Sequence, residues 1–312
     1  MKILVLGSTG FIGKNIIRNI LNNGNDELFL FDKKKFEYEL GFPDEKIKNC
    51  HMICAEFCMA TDFETLTKDI DIVYHLISTT LPNTPMQRVA AGLEENVVVT
   101  SLLLEACVKN KVKKIIFLSS GGTVYGLSKE FPFREDSITT PISAYGLQKV
   151  AIEKLIYLYG YTYGIDYRIV RLANPYGRYQ SPNGIQGVIT TFIFRALHNE
   201  EICVYGNGEI IRDYIYIDDA VNAIQNIVKY QGEYKTFNVG SGIGTSINEV
   251  IQVIEKIMKK KLWVCYKDGR KADVPINILN IDRYKKNIGR LIYVPLEEGV
   301  RKTARFLMNE DI

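Results

Sequence analysis

The stretch GSTGFIG, Gly7 to Gly13, follows the apolar run KILVLG and opens the segment FIGKNIIRNILNNG. In that segment Ile16, Ile17, Ile20 and Leu21 share one helical face, and Gly24 offers a stop. Strand, glycine turn and helix in this order form a dinucleotide-binding start. Gly7 makes the tight turn and Gly10 lets the backbone approach a pyrophosphate. Gly13 lets the helix lie close on the strand, with Phe11 and Ile12 in the same first turn and the N-terminal amides facing the anion. The acid this arrangement needs is Asp32, at the end of LFLFD, placed to take ribose hydroxyls and repel a 2′-phosphate. NAD is therefore the expected cofactor. Lys33 and Lys34 follow directly and can neutralise a phosphate, which keeps NADP open.

Outward from this turn, LFLFD, HMIC, DIVYHL, KKIIFLSS and YRIVRL alternate with helical-period segments such as NVVVTSLLLEACVKN and SAYGLQKVAIEKLIYLYGYTYG. That rhythm predicts an α/β fold, a doubly wound parallel sheet of the Rossmann type. After about Arg171 the chain turns to ANPYGRYQSPNGIQG, rich in Gly, Pro and polar residues, and a smaller C-terminal lobe begins. We expect a dinucleotide-binding domain over 1–172, joined by about 217–239, and a substrate-binding lobe from 173–216 and 240–312. Helices are expected near Val188 to Asn199, Asp219 to Tyr230 and Ile247 to Lys260.

The 312 residues carry 39 Lys and Arg against 36 Asp and Glu, a balance that singles out neither nucleic acid nor an anionic membrane as partner. No apolar run reaches the roughly 18–20 residues of a membrane span, and the start lacks a secretory pattern, so a cytoplasmic protein is expected. Cys50, Cys54 and Cys58 with His51 suggest a metal, but on a strand Cys50 and Cys54 stand about 13 Å apart, too far to share one zinc. No metal is expected.

In YGLQK, Tyr145 and Lys149 are four apart, on one helical face. A phenol acts as a base near neutral pH when a neighbouring ammonium stabilises the phenolate, and Lys149 supplies that charge.

With this pair the chain resembles the extended short-chain dehydrogenase/reductases, and among them the UDP-glucose 4-epimerase-like enzymes. The resemblance runs through GSTGFIG, DIVYHL, Asn96 in EENVVVTS, LSSGGTVYG, SAYGLQK, NPYG, RDYIYIDD, FNVGSG and PLEEGV. It implies that Tyr145 exchanges the proton of the sugar C4 hydroxyl and that Lys149 lowers its pKa and holds the nicotinamide ribose. It also implies cofactor contacts from Glu56, Phe57, Leu76 and Asn96. Substrate contacts are implied at Asn174, Val204, Tyr205, Arg212, Arg270 and Asp273, the two arginines clamping the diphosphate. The resemblance also implies that Asn277 stands at a position gating the sugar pocket in epimerases. A homodimer is implied, with the helices beginning near Asn96 and Ser143 at its interface.

One family hydroxyl is missing, because the position four before Tyr125 is Gly121. Thr123 and Ser120 are the candidate replacements, with Thr123 favoured. Gly122 and Thr123 stand where the related dehydratases place an Asp-Glu pair, and Thr123 where the UDP-glucuronate decarboxylases have a glutamate. The expected function is therefore NAD-dependent hydride chemistry at C4 of a UDP- or dTDP-hexose, foremost a UDP-hexose 4-epimerase serving polysaccharide biosynthesis. The alternative is a 4-ketoreductase of dTDP-4-dehydro-6-deoxyglucose that yields a sugar such as dTDP-fucose. More remote is a dinucleotide-binding protein without catalysis.

Overall fold

A computed structural model describes residues 1–34, 47–128, 130–183, 187–269, 274–291 and 293–308. The strands β1 (Lys2–Leu6), β2 (Glu27–Asp32), β3 (Cys50–Cys54), β4 (Ile72–His75), β5 (Lys114–Ser120) and β6 (Asp166–Leu172) come first. Then β7 (Asn174–Tyr176), β8 (Ile202–Tyr205) and β9 (Ile211–Tyr216) leave the main sheet, β10 (Thr236–Val239) returns to it, and β11 (Gly244–Ser246), β12 (Val264–Lys267) and β13 (Ile276–Asn277) lie outside it. The main sheet is parallel, in the order β10-β6-β5-β4-β1-β2-β3. Its direction of winding reverses between β1 and β4. In an open α/β sheet that reversal leaves a crevice at the carboxyl ends of the strands, where a ligand binds.

The strands are apolar on both faces because helices cover both. Val5, Leu4, Leu6, Val73, Ile115 and Phe117 are fully buried. On one side α1 (Phe11–Asn23) buries Ile16, Ile17, Ile20 and Leu21. The next helical elements are α2 (Phe63–Leu66) and a run through Met86–Arg88 and α3 (Val89–Gly92) into Leu93–Val98 and α4 (Val99–Lys109). The sequence reading starts this helix at Asn96, whereas the chain is already helical at Met86. The stretch Leu93–Val98 is π-helical, which buries Asn96 where no 3.6-residue period announces it.

α5 (Ala144–Tyr163) packs on β5, capped by Ser143, whose hydroxyl accepts from Gly146 N, and ended by Gly164 at φ 72°. α6 (Val188–His198) belongs to the smaller lobe, whereas α7 (Ile217–Lys229) returns to the main sheet, its buried face Ile217, Ala220, Val221, Ile224, Ile227 and Val228. α8 (Ile247–Met258) is locked by a reciprocal cap between Ser246 and Glu249. α9 (Asp282–Asn287) and α10 (Leu296–Leu307) close the chain.

In the smaller lobe β9 is the hub. It pairs with β7 and β13 in parallel and with β11 antiparallel, while β8 pairs separately with β12. Asp213 of β9 is buried and accepts from Ser241 N, Ser241 Oγ, Gly242 N and Leu279 N, so one carboxylate holds three chain segments together. Among the described residues no helix is long and apolar enough to cross a membrane.

Candidate active site

At the crevice, the turn after β1 is shaped by backbone geometry. Gly7 has φ 89°, a left-handed value, and its amide donates to Phe31 O at 3.0 Å. A Cβ built on Gly13 would lie 2.2 Å from Gly7 O, so α1 reaches the turn only because residue 13 has no side chain. Gly10 precedes α1 with no capping side chain, and the first turn holds no acid, which leaves its amide donors for an anion. Ser8 Oγ is buried there without a hydrogen-bond partner among the described residues. Asp32 at the end of β2 accepts Thr9 N at 3.0 Å and is fixed beside the same turn. A pyrophosphate and ribose fit these groups.

Leu76 continues β4, donates to Leu6 O and borders Gly7. Phe57 packs against Phe63 and His75, and Glu56 beside it is exposed. His75 bonds Thr100 Oγ1, and burial pushes its pKa down to about 3, so it is a neutral wall residue. Asn96 accepts from Thr79 N at 2.9 Å and donates to Thr79 Oγ1, Gly92 O and Gln148 Oε1. It thus ties the loop after β4 to α5.

The helix α5 grips β5 at three successive turns. Tyr145 is hydrogen-bonded by Ser120, Lys149 Nζ donates to Leu118 O at 2.9 Å, and Glu153 accepts from Ser119 Oγ at 2.5 Å. Glu153 also takes a bidentate Arg171, 2.7 Å at the shortest, whose guanidinium reaches Tyr125 Oη. Gly146 permits the close fit, since a Cβ there would be 2.8 Å from Thr123 O.

Electrostatics follow from this burial. Desolvation pushes the Tyr145 phenol up to about 12, and the Ser120 hydrogen bond works against it. The sequence expectation is a phenol lowered by Lys149. Instead burial raises the phenol and Ser120, not Lys149, is the group that lowers it, while Lys149 Nζ stands over the Tyr145 ring at 5.5 Å. Burial also brings Lys149 down to about 8, and the Glu153 carboxylate opposes that fall.

The missing side chain at 121 has a structural reason. A Cβ on Gly121 would lie 2.5 Å from Leu279 Cδ1, so Leu279, fully buried, fills the place a serine needs. Asn277 Nδ2 donates to Gly121 O at 3.1 Å, and Asn277 Oδ1 is buried without a partner among the described residues. Thr123 Oγ1 is likewise buried and unpartnered among them. Ser120 Oγ and Asn174 Oδ1 face the same space beside Gly122, at 3.8 and 3.9 Å from a Cβ built there.

Of the remaining predicted residues, Asn174 donates to Asp213 O, and Arg212 donates to Val274 O at 2.6 Å beside Asn277 in the β9–β13 pair. Val204 is buried and Tyr205 exposed on β8. Arg270 and Asp273 lie outside the described residues. The sequence reading misses Glu153, Arg171, Gln148 and Leu279. Glu153 alone has a local signal, the same helical spacing from Lys149 that Lys149 has from Tyr145.

A glycine-turn Rossmann sheet with a Tyr-Lys pair held against β5 defines a dinucleotide-dependent enzyme of the short-chain dehydrogenase/reductase type. The family model "NAD dependent epimerase/dehydratase family" matches residues 3–240, and the chain belongs to that family, with NAD as its cofactor. It is 31% identical over 318 residues to a dTDP-4-dehydro-6-deoxyglucose reductase of Escherichia coli, covering 97% of this chain and 96% of the relative. It is 30% identical over 312 residues to a UDP-glucose 4-epimerase of Mycolicibacterium smegmatis, covering 99% of each. The structure of a UDP-glucose 4-epimerase with UDP-glucose from Thermotoga maritima aligns with TM-score 0.90 at 32% identity over 99% of both chains.

Proposed function

We propose that the protein is an NAD-dependent 4-epimerase of UDP-hexoses. The observation that carries this reading is the alignment of half-buried Tyr145 and Ser120 with buried Lys149, the Thr123 hydroxyl being buried and unpartnered among the described residues and the turn at 121–123 holding no acid. Such a site moves one proton and holds one oxygen, and it lacks the second acid–base pair that dehydration needs. Gly7, Gly10, Gly13 and Asp32 hold the dinucleotide, with Phe11, Ile12, Glu56, Phe57, Leu76 and Asn96 around it. When bound, its nicotinamide supplies the hydride acceptor and donor.

Tyr145 takes the C4 hydroxyl proton and gives it back. Ser120 keeps the phenol oriented and stabilises its anion, and Lys149, still charged near neutral pH, adds a positive field. Thr123 holds the C4 oxygen. Asn174, Val204, Tyr205, Arg212, Arg270 and Asp273 bind the nucleoside diphosphate, and Asn277 borders the sugar.

A 4-ketoreductase acting on a dTDP-4-keto-6-deoxy sugar is the second reading, favoured by the similarity to the reductase of E. coli. The test is to denature freshly purified protein and identify the released dinucleotide. Near-stoichiometric NAD or NADH supports the epimerase, which retains its cofactor through a full turnover. A freely exchanging site supports the reductase. A protein acting as a homodimer in the cytoplasm completes the proposal. The exposed Leu147, Leu158 and Tyr161 on α5 and Val98 next to α4 are the apolar surface a second copy would cover.

A further inference from the structure

Away from the active site, the parallel pairing of β8 and β12 makes register partners of two thiols that the sequence keeps far apart, Cys203 and Cys265. Both are free and half-buried. Cys203 Sγ lies 3.7 Å from Glu201 Oε2, and the donor atoms of Glu201, Cys203 and Cys265 all lie within 4.8 Å of one another. We propose that Glu201, Cys203 and Cys265 bind a thiophilic divalent cation, Zn²⁺ being the ion that fits, with water as fourth ligand.

The geometry requires little movement. Tetrahedral zinc with Zn–S near 2.3 Å sets its sulfurs about 3.8 Å apart, so side-chain rotation closing a cluster that lies within 4.8 Å by at most about 1 Å completes the site. Charge is largely offset. Two thiolates and a carboxylate carry three negative charges, of which the ion neutralises two. Binding releases the two thiol protons to solvent. The ion would brace the strand carrying Val204 and Tyr205 against β12. That consequence rests on the nucleotide-binding role proposed above, whereas the ion site does not.

The direct test uses the unaltered chain. With and without Zn²⁺, the protein is alkylated with iodoacetamide and each cysteine is quantified by peptide mass spectrometry. Zinc is expected to slow labelling of Cys203 and Cys265 at least about tenfold and to leave exposed Cys54 unchanged. One equivalent of Zn²⁺ should survive gel filtration and be lost in C203S/C265S, and E201Q should weaken retention about tenfold. Co²⁺ should give a thiolate charge-transfer band that the double variant lacks. Unchanged labelling of Cys203 and Cys265, or equal zinc retention by C203S/C265S, overturns the site whatever the enzyme's activity proves to be.

Discussion

At the scale of residues, Tyr145 is half-buried and Lys149 buried, desolvation disfavours the charged form of each, and the neighbours decide how far. Ser120 lowers the phenol's pKa, so removing its hydroxyl raises it. The base form then appears at higher pH, and Ser120→Ala should move the high-pH limb of the pH–rate profile, set by Tyr145, upward. Thr123→Val should cut kcat/KM about tenfold or more without moving that limb. Equal shifts in both variants would contradict the division of roles. Glu153 keeps Lys149 charged, so Glu153→Gln should move the limb that Lys149 sets near pH 8 to lower pH, a change that a merely structural role would not produce. The spacing of Tyr145 and Lys149 is legible in the sequence because a helix repeats locally. Leu279 is not, since its contact with Gly121 joins segments that only tertiary folding brings together.

At the scale of elements, the turn 121–124 is shaped from the smaller lobe. Gly121→Ser should cost about 1–3 kcal/mol by overpacking against Leu279. In Gly121→Ser/Leu279→Ala the two costs should fall short of their sum by about 1 kcal/mol or more in urea unfolding, and additive costs would show that Leu279 does not fill this place. At the start of β6, Asp166 is drawn up by burial, but hydrogen bonds from Lys235 and Arg168 prevail and bring it down to about 2. Its folded pKa lies below the unfolded one, so its stabilisation is present above about pH 4 and lost as pH falls towards 2. Asp166→Asn should therefore destabilise by about 1–2 kcal/mol at pH 7 and by little at pH 2, as measured by denaturant midpoints at each pH. Element types are readable because apolar period and glycine stops act locally, as in α1 and α7. The entry to α4 is not readable, because its π turn is held by Asn96 bonding Thr79 and Gln148 across the fold.

At the scale of the whole molecule, a parallel sheet reversing between β1 and β4 sets the glycine turn and the β5–α5 ladder at the carboxyl ends of the strands. The sequence conveys this through GSTGFIG and the strand rhythm. How β9 joins Asn174, Arg212 and Asn277 to that edge is carried by pairings between distant short strands, which leave no periodic trace. We propose proton exchange by Tyr145 in a C4 epimerisation. The measurement that tests it most directly is proton NMR of UDP-glucose incubated with the purified protein, with no dinucleotide added, beside the Tyr145→Phe variant. We expect the C4 epimer, UDP-galactose, to appear, at a rate about 10²–10⁴-fold lower in the variant. No epimer from the unaltered protein, or an equal rate from Tyr145→Phe, would contradict it.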